Sequence, residues 1–311
     1  MKRRKFIKDA SFLLGGLSIS SFSSPFFSSC SNQQSFKISL AEWSLHRELF
    51  SKKIDHLDFI SLAKTEFGID AVEYVNSFFF EKAEDRDYLN RMKKRANDNG
   101  VKSLLIMCDN EGNLGDPNKS KRIQAVENHY KWAEAAKFLG CHSIRVNARS
   151  DNNLPYEEQL KLAADGLSML VNFCDNINLN AIVENHGGLS SNASYLANVM
   201  KNVNLDNCGT LPDFGNFCIE KIDPENYFSQ CINEYDKYQG MTELMPYAKA
   251  VSAKSYDFDT KGEESTIEFK RIIDITKEFN YDGYYGIEYE GLNLGENDGI
   301  IKTKKLLEKY L

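Results

Sequence analysis

The chain has 311 residues, is 42% hydrophobic and 27% charged, and carries a formal net charge of -7. This is ordinary soluble-globular composition, enough for one large α/β barrel or two modest domains. No basic, aromatic-laced stripe follows the first ten residues, which argues against nucleic acid as the main partner, because phosphate binding needs a basic footprint.

Residues 1–30 read as an export signal and not as part of the fold. Lys2-Arg3-Arg4-Lys5-Phe6-Ile7-Lys8 is a positive segment, and the apolar stretch from Ala10 to Phe22 is diluted by Gly and Ser. That stretch is too short and too polar to span a bilayer permanently. The paired arginines resemble the bacterial twin-arginine signal. Phe27-Ser28-Ser29-Cys30 resembles a lipoprotein box, although Phe27 stands where an aliphatic residue is usual, and residues 31–36 form a polar tether. The expectation is an exported, periplasmic protein that meets the membrane only through a lipid on Cys30. An ordinary cleaved signal with an incidental cysteine is the alternative.

Residues 37–311 form the expected folded domain, in which short apolar runs alternate with longer stretches of helical spacing. The predicted order is strand Lys37–Glu42, helix Leu57–Lys64, strand Ala71–Tyr74, helix Asp85–Asn97, strand Ser103–Cys108 and helix Ser120–Phe138. It continues with strand Ser143–Asn147, helix Tyr156–Cys174, strand Ala181–Asn185, helix Ser191–Val203, strand Gly209–Asp213 and helix Met241–Tyr247. Strand Ala250–Lys254, helix Ile267–Phe279, strand Tyr284–Glu288 and helix Gly299–Tyr310 complete it. Apolar residues three and four apart mark the helices, such as Leu160, Ala163, Ala164, Leu167, Leu170 and Val171. Gly100, Gly140 and Gly283 are read as left-handed caps ahead of the next strand. Phe217–Gly240, rich in Tyr, Asn and acids, reads as an elaborated loop with a helix over the catalytic face.

Strands alternating with helices imply parallel pairing with right-handed crossovers, and eight units in this length imply a single-domain (β/α)8 TIM barrel. The other candidate, an open doubly wound sheet, lacks its Gly-x-Gly-x-x-Gly or Gly-Lys-Ser/Thr loop after the first strand. After Cys30, six cysteines remain, none in a Cys-x-x-Cys pair, and they read as small buried hydrophobes rather than as a disulfide framework or zinc site.

Barrel strands should turn polar at their carboxyl ends, where active sites are built. Here they run into Glu42-Trp43-Ser44-Leu45-His46, Glu73-Tyr74-Val75-Asn76, Asp109-Asn110-Glu111, Arg145-Val146-Asn147, Glu184-Asn185-His186, Asp213-Phe214-Gly215-Asn216 and Glu288-Tyr289-Glu290. Burying a carboxylate costs on the order of several kcal/mol unless it is paired or bound to metal. Glu184, Asp213 and Glu288 lie on different strands whose ends converge in a closed barrel, so one shared divalent cation would offset their repulsion. His56 and His142 read as surface or barrel-bottom residues, and His129 as part of a helix.

The blocks Val183-Glu184-Asn185-His186-Gly187-Gly188, Asp213-Phe214-Gly215-Asn216, Val251-Ser252-Ala253-Lys254-Ser255 and Gly286-Ile287-Glu288-Tyr289-Glu290-Gly291 resemble the xylose-isomerase-like TIM-barrel family, which includes sugar (phosphate) isomerases and epimerases. The resemblance implies a divalent metal held by Glu184, Asp213 and Glu288. It implies that Glu184 and Glu288 remove and return a proton α to a carbonyl while the metal stabilises the ene-diolate. Epimerases of the family offer His-x-Lys-Asp on the seventh strand, and here Ser252-Ala253-Lys254-Ser255 takes that place. A water or His186 fills the gap, or affinity is weaker, or the chemistry has changed. An oxygen-only shell favours Mn²⁺ or Mg²⁺ over Zn²⁺.

His186, Arg145, Lys254, Trp43, His46 and Asn216 are candidate substrate-binding residues, and Glu290 is an alternative to Glu288 as ligand. The expected function is a metal-dependent isomerase or epimerase of a sugar or keto-sugar. A lyase or hydratase cleaving 3-keto-glycosides by β-elimination and a non-catalytic carbohydrate-binding lipoprotein are the alternatives. Small-molecule carbohydrate is the expected partner, and the oligomeric state is left open.

Overall fold

The computed structural model describes residues 37–223 and 229–311. The expected signal over 1–30, with Cys30, and the tether over 31–36 lie outside the described residues.

Eight strands form one parallel sheet: β1 (Ile38–Ala41), β2 (Ala71–Val75), β3 (Lys102–Met107), β4 (Ser143–Val146), β5 (Asn180–Glu184), β6 (Cys208–Leu211), β9 (Val251–Ser255) and β10 (Tyr285–Tyr289). Their order is β6-β5-β4-β3-β2-β1-β10-β9. The edges β6 and β9 meet through isolated parallel bridges, Thr210 to Ala248 and Asp213 to Ser252. The Ser252 N–H donates to Pro212 O at 3.0 Å and the Phe214 N–H to Ser252 O at 3.1 Å, closing the TIM barrel.

Helices α1 (His46–Phe50), α2 (Phe59–Thr65), α3 (Arg86–Asn99), α4 (Lys119–Leu139), α5 (Tyr156–Asn176), α6 (Ala193–Val203), α7 (Lys237–Leu244), α8 (Phe269–Glu278) and α9 (Glu296–Tyr310) follow the strands. The predicted stripe of α5 is buried from Leu160 to Val171. Truncating a core residue such as Leu167 to alanine would cost about 2–5 kcal/mol. Side-chain oxygens of Asp85, Asn118, Asn192 and Asp236 accept from the first N–H groups of α3, α4, α6 and α7. Gly100 and Gly140 are the expected left-handed caps, with φ of 63° and 88°. Gly283 is not: after α8 the left-handed residue is Asn280, φ 54°, whose short polar side chain tolerates that conformation.

Strand alternation divides the apolar residues in two. One large core lies between sheet and helices. A smaller cluster of Ala41, Val75, Leu105, Met107, Ile182, Leu211 and Ala250 includes strand residues of the opposite parity.

The segment after β6 corrects the cysteine reading. It holds an antiparallel hairpin, β7 (Cys218–Lys221) and β8 (Cys231–Glu234), stapled by a Cys218–Cys231 disulfide. Cys108, Cys141 and Cys174 are free and buried as expected, and Cys208 is free and half-buried. The expected helix also forms, as α7, but starts at Lys237 because Asp236 caps it there.

Candidate active site

Glu184 ends β5, and Glu288 and Lys254 are register partners on β10 and β9. Asp213 lies two residues beyond β6, on the closing bridge. Glu184, Asp213 and Glu288 each present one carboxylate oxygen within 4.8 Å of the others, and all three are buried. The predicted convergence is therefore present.

Every member is held. Asp213 Oδ1 accepts the backbone N–H groups of Gly215 and Asn216, each at 2.8 Å. Ser252 Oγ lies 2.6 Å from Asp213 Oδ2 and 3.0 Å from Glu288 Oε2. A hydroxyl has one proton to donate, so both contacts are satisfied only when one of the two acids is itself protonated. Asn216 Nδ2 donates to Glu184 Oε1 at 2.8 Å, and Arg145 Nε stands 2.9 Å from Glu184 Oε2. Lys254 Nζ is 2.8 Å from Glu288 Oε1, 3.2 Å from Glu290 Oε1 and 3.8 Å from Asp213 Oδ2.

Four acids, Glu184, Asp213, Glu288 and Glu290, thus meet two buried cations, Arg145 and Lys254. Burial raises Glu184 against the opposing pull of Arg145, and raises Asp213 against that of Lys254. The cluster is short of positive charge. A divalent ion with oxygen ligands at about 2.0–2.2 Å spans opposite oxygens of about 4.2 Å, close to the 4.8 Å limit observed. The three acids therefore fit a divalent cation, with Ser252 as a neutral neighbour.

Above the cluster opens a cleft of about 1270 Å³, lined among others by Glu288, Asn216, Arg145, His186, Asn147 and Asp109. Glu184, Asp213 and Lys254 are buried behind this lining. Residues Cys218–Lys221 of the hairpin form part of the wall, and β7 packs against the turn Gly188–Ser191. Arg145 Nη1 and Asn147 Nδ2 donate to Asp109 Oδ1 at 2.8 and 2.7 Å. These contacts outweigh the cost of burial and hold Asp109 below the usual carboxylate range. Asn147 Oδ1 then faces His186 Nδ1 at 2.9 Å, so that nitrogen carries the hydrogen. Burial, with Arg145 adding to it, lowers His186 to about 4.

The other predicted residues divide. Trp43 lines the cleft and donates from Nε1 to Glu290 Oε1 at 2.5 Å, so Glu290 joins Trp43 to Lys254. His46 is not among the lining residues: it stacks on Trp43 at 4.9 Å, with Nδ1 on the Trp43 carbonyl. Glu42 is buried outside the cleft lining and stands 3.3 Å from His56 Nε2. His56 is thus buried, not on the surface or the barrel bottom, and burial lowers it to about 4. His142 is exposed just before β4, and His129 is buried within α4, its Nδ1 on the Ala125 carbonyl. The tie between Asp109 and Arg145 and the hairpin wall are the features that sequence reasoning did not find.

Eight parallel strands with acids gathered where they end define a TIM-barrel protein with an enzyme-like site. The chain belongs to the xylose isomerase-like TIM barrel family, whose profile matches residues 61–310. Its fold is similar to that of 3-keto-D-glucoside 4-epimerase from E. coli, at TM-score 0.62 and 13% identity, over 88% of this chain and 100% of that one. It is similar to L-ribulose 3-epimerase, at 0.66 and 15%, over 89% and 96%. It is also similar to the IolI protein with a bound zinc atom, at 0.64 and 14%, over 89% and 99%. No curated protein matches the chain by sequence.

Proposed function

We propose that this protein is a metal-dependent isomerase or epimerase that removes a proton α to the carbonyl of a sugar or keto-sugar. One observation carries the reading: Glu184, Asp213 and Glu288 converge within 4.8 Å, and Glu288 among them lines a large cleft. Its fold neighbours include epimerases of an L-ribulose and of a 3-keto-D-glucoside.

A divalent cation on these acids would polarise the carbonyl and offset the negative charge left by deprotonation. Mn²⁺ or Mg²⁺ suits the oxygen-only set that Ser252 leaves. Glu184 takes the proton, with Asn216 donating to one of its oxygens and Arg145 paired with the other at 2.9 Å. Glu288 returns the proton from β10, oriented by Lys254. Asn216, Arg145 and His186 hold substrate oxygens.

A second reading is favoured by the size of the cleft. Its volume of about 1270 Å³ exceeds the roughly 300–1,000 Å³ of ordinary small-molecule sites. It leaves room for a glycoside, in which the same deprotonation beside a 3-keto group would expel the β substituent. We also propose export with lipid attachment at Cys30. The Cys218–Cys231 disulfide supports that location, because such bonds persist in oxidising compartments.

The test is incubation of metal-loaded protein with ketoses and 3-keto-glycosides in deuterated water. Solvent deuterium is expected at one carbon, with the product telling epimerisation from release of the aglycone. Glu184→Gln is expected to slow exchange by about 10²–10⁴-fold. Absence of exchange across the panel, in protein with metal bound, would sink the proposal.

A further inference from the structure

The cleft lining changes character around the barrel. After β3 to β6 it offers the polar Asp109, Arg145, Asn147, His186 and Asn216. After β1 and β10 it offers the apolar Trp43, Phe50 and Leu292 beside Glu288, Glu290 and Asn293. Phe50 is 57% exposed and Leu292 63%. Phe50 belongs to an aromatic cluster rather than standing alone. Trp43 and Phe50 meet edge to face at 5.9 Å, and both pack on Phe78, at 6.0 and 4.9 Å.

This aromatic cluster begins at the reacting groups. Trp43 Nε1 donates to Glu290 Oε1, which lies 3.2 Å from Lys254 Nζ, which in turn lies 2.8 Å from Glu288 Oε1. A sugar ring at the acids, with its hydroxyls on the polar side, would direct a substituent over these rings. An apolar substituent would cover them and remove their surface from water, whereas a hydrogen or a methyl group at that position leaves them exposed.

We propose that Trp43, Phe50 and Leu292 form a subsite for an aromatic aglycone, so that the substrate is an aryl glycoside rather than a free ketose. This rests on the reading of the cleft as a carbohydrate site, and the experiment separates the two. Binding of phenyl β-D-glucopyranoside and methyl β-D-glucopyranoside, neither of which can react, is measured by calorimetry. Protection of tryptophan from acrylamide quenching is followed in parallel. The chain has two tryptophans, and Trp132 is fully buried, so quenching reports Trp43.

The phenyl glycoside is expected to bind about tenfold more tightly, the worth of one good aromatic contact, and to protect Trp43. The preference falls toward one in Phe50→Ser and in Leu292→Ser, both exposed positions where the fold tolerates change. Equal affinities, a preference that survives both substitutions, or binding of neither glycoside overturns the subsite. A phenyl preference in protein that exchanges no deuterium on any keto-sugar upholds the subsite and removes only the reaction.

Discussion

Glu73 lies inside the barrel with Ser39 Oγ donating to one carboxyl oxygen at 2.6 Å, while the other oxygen is buried without a hydrogen-bond partner. Gly286 makes room for it, since a Cβ there would stand 2.6 Å from Glu73 Oε1. Burial pushes Glu73 up to about 8 from 4.5. The folded protein therefore keeps a proton that the unfolded chain has lost. Stability is fully present below about pH 4.5, falls as pH rises, and levels off above about 8. Glu73→Gln keeps the acceptor for Ser39 and removes the titration. It is expected to flatten the decline and to raise the melting temperature above that of the native protein at about pH 8.5, by up to several kcal/mol in stability. Melts at about pH 5 and 8.5 check this; an unchanged slope would assign the pH dependence elsewhere.

Strands and their terminal acids were legible because a barrel imposes them: an apolar run that ends in an acid fits a strand opening onto a site better than it fits a helix or a surface loop. What Ser252 and Asp109 do was not legible, because both depend on which side chain faces them across a strand joint. Ser252 looks like a lost ligand in sequence, and in the structure it bridges Asp213 and Glu288. Asp109 looks like the start of a loop, and in the structure it anchors Arg145 and Asn147.

Among the elements, α4 and α5 fall within two residues of their predicted limits, since long stripes of apolar residues leave little freedom. The hairpin did not announce itself. Its strands, Cys-Ile-Glu-Lys and Cys-Ile-Asn-Glu, are four residues each and only partly buried, too short and polar for alternation to register. Nor does one sequence reveal that Cys218 and Cys231, 13 residues apart, are bonded while four others are not. Closing a loop of that length is worth about 3 kcal/mol of local constraint. Cys218→Ser with Cys231→Ser is expected to speed amide exchange in Cys218–Lys221 and Cys231–Glu234 by roughly 100-fold. The barrel strands should keep their protection. Exchange measured by mass spectrometry checks this, and unaltered rates in the hairpin would show that packing against Gly188–Ser191 holds it without the staple.

At the scale of the whole molecule, the proposed cation site would couple ion binding to folding. A ligand that binds only the folded state stabilises it by about 2.7 kcal/mol at one hundred times its dissociation constant. For a domain of this size that raises the melting temperature by roughly 5 °C or more. Added Mn²⁺ is expected to do so, a chelator to reverse it, and Asp213→Asn to abolish the response. Elemental analysis should find one equivalent of metal in the loaded protein, and a melting temperature indifferent to both additions would show that no ion is coupled to folding.

The joint between β6 and β9 differs from the other seven: isolated bridges replace a continuous ladder, and one bridge pairs Asp213 with Ser252. The residues that shut the cylinder are thus two of those that assemble the acids. Parting of this seam would draw Asp213 away from Ser252, and a cation held as proposed would act as a rivet across it. On that reading closure of the barrel and assembly of the site go together, so a partly zipped chain would have no foothold for either metal or sugar.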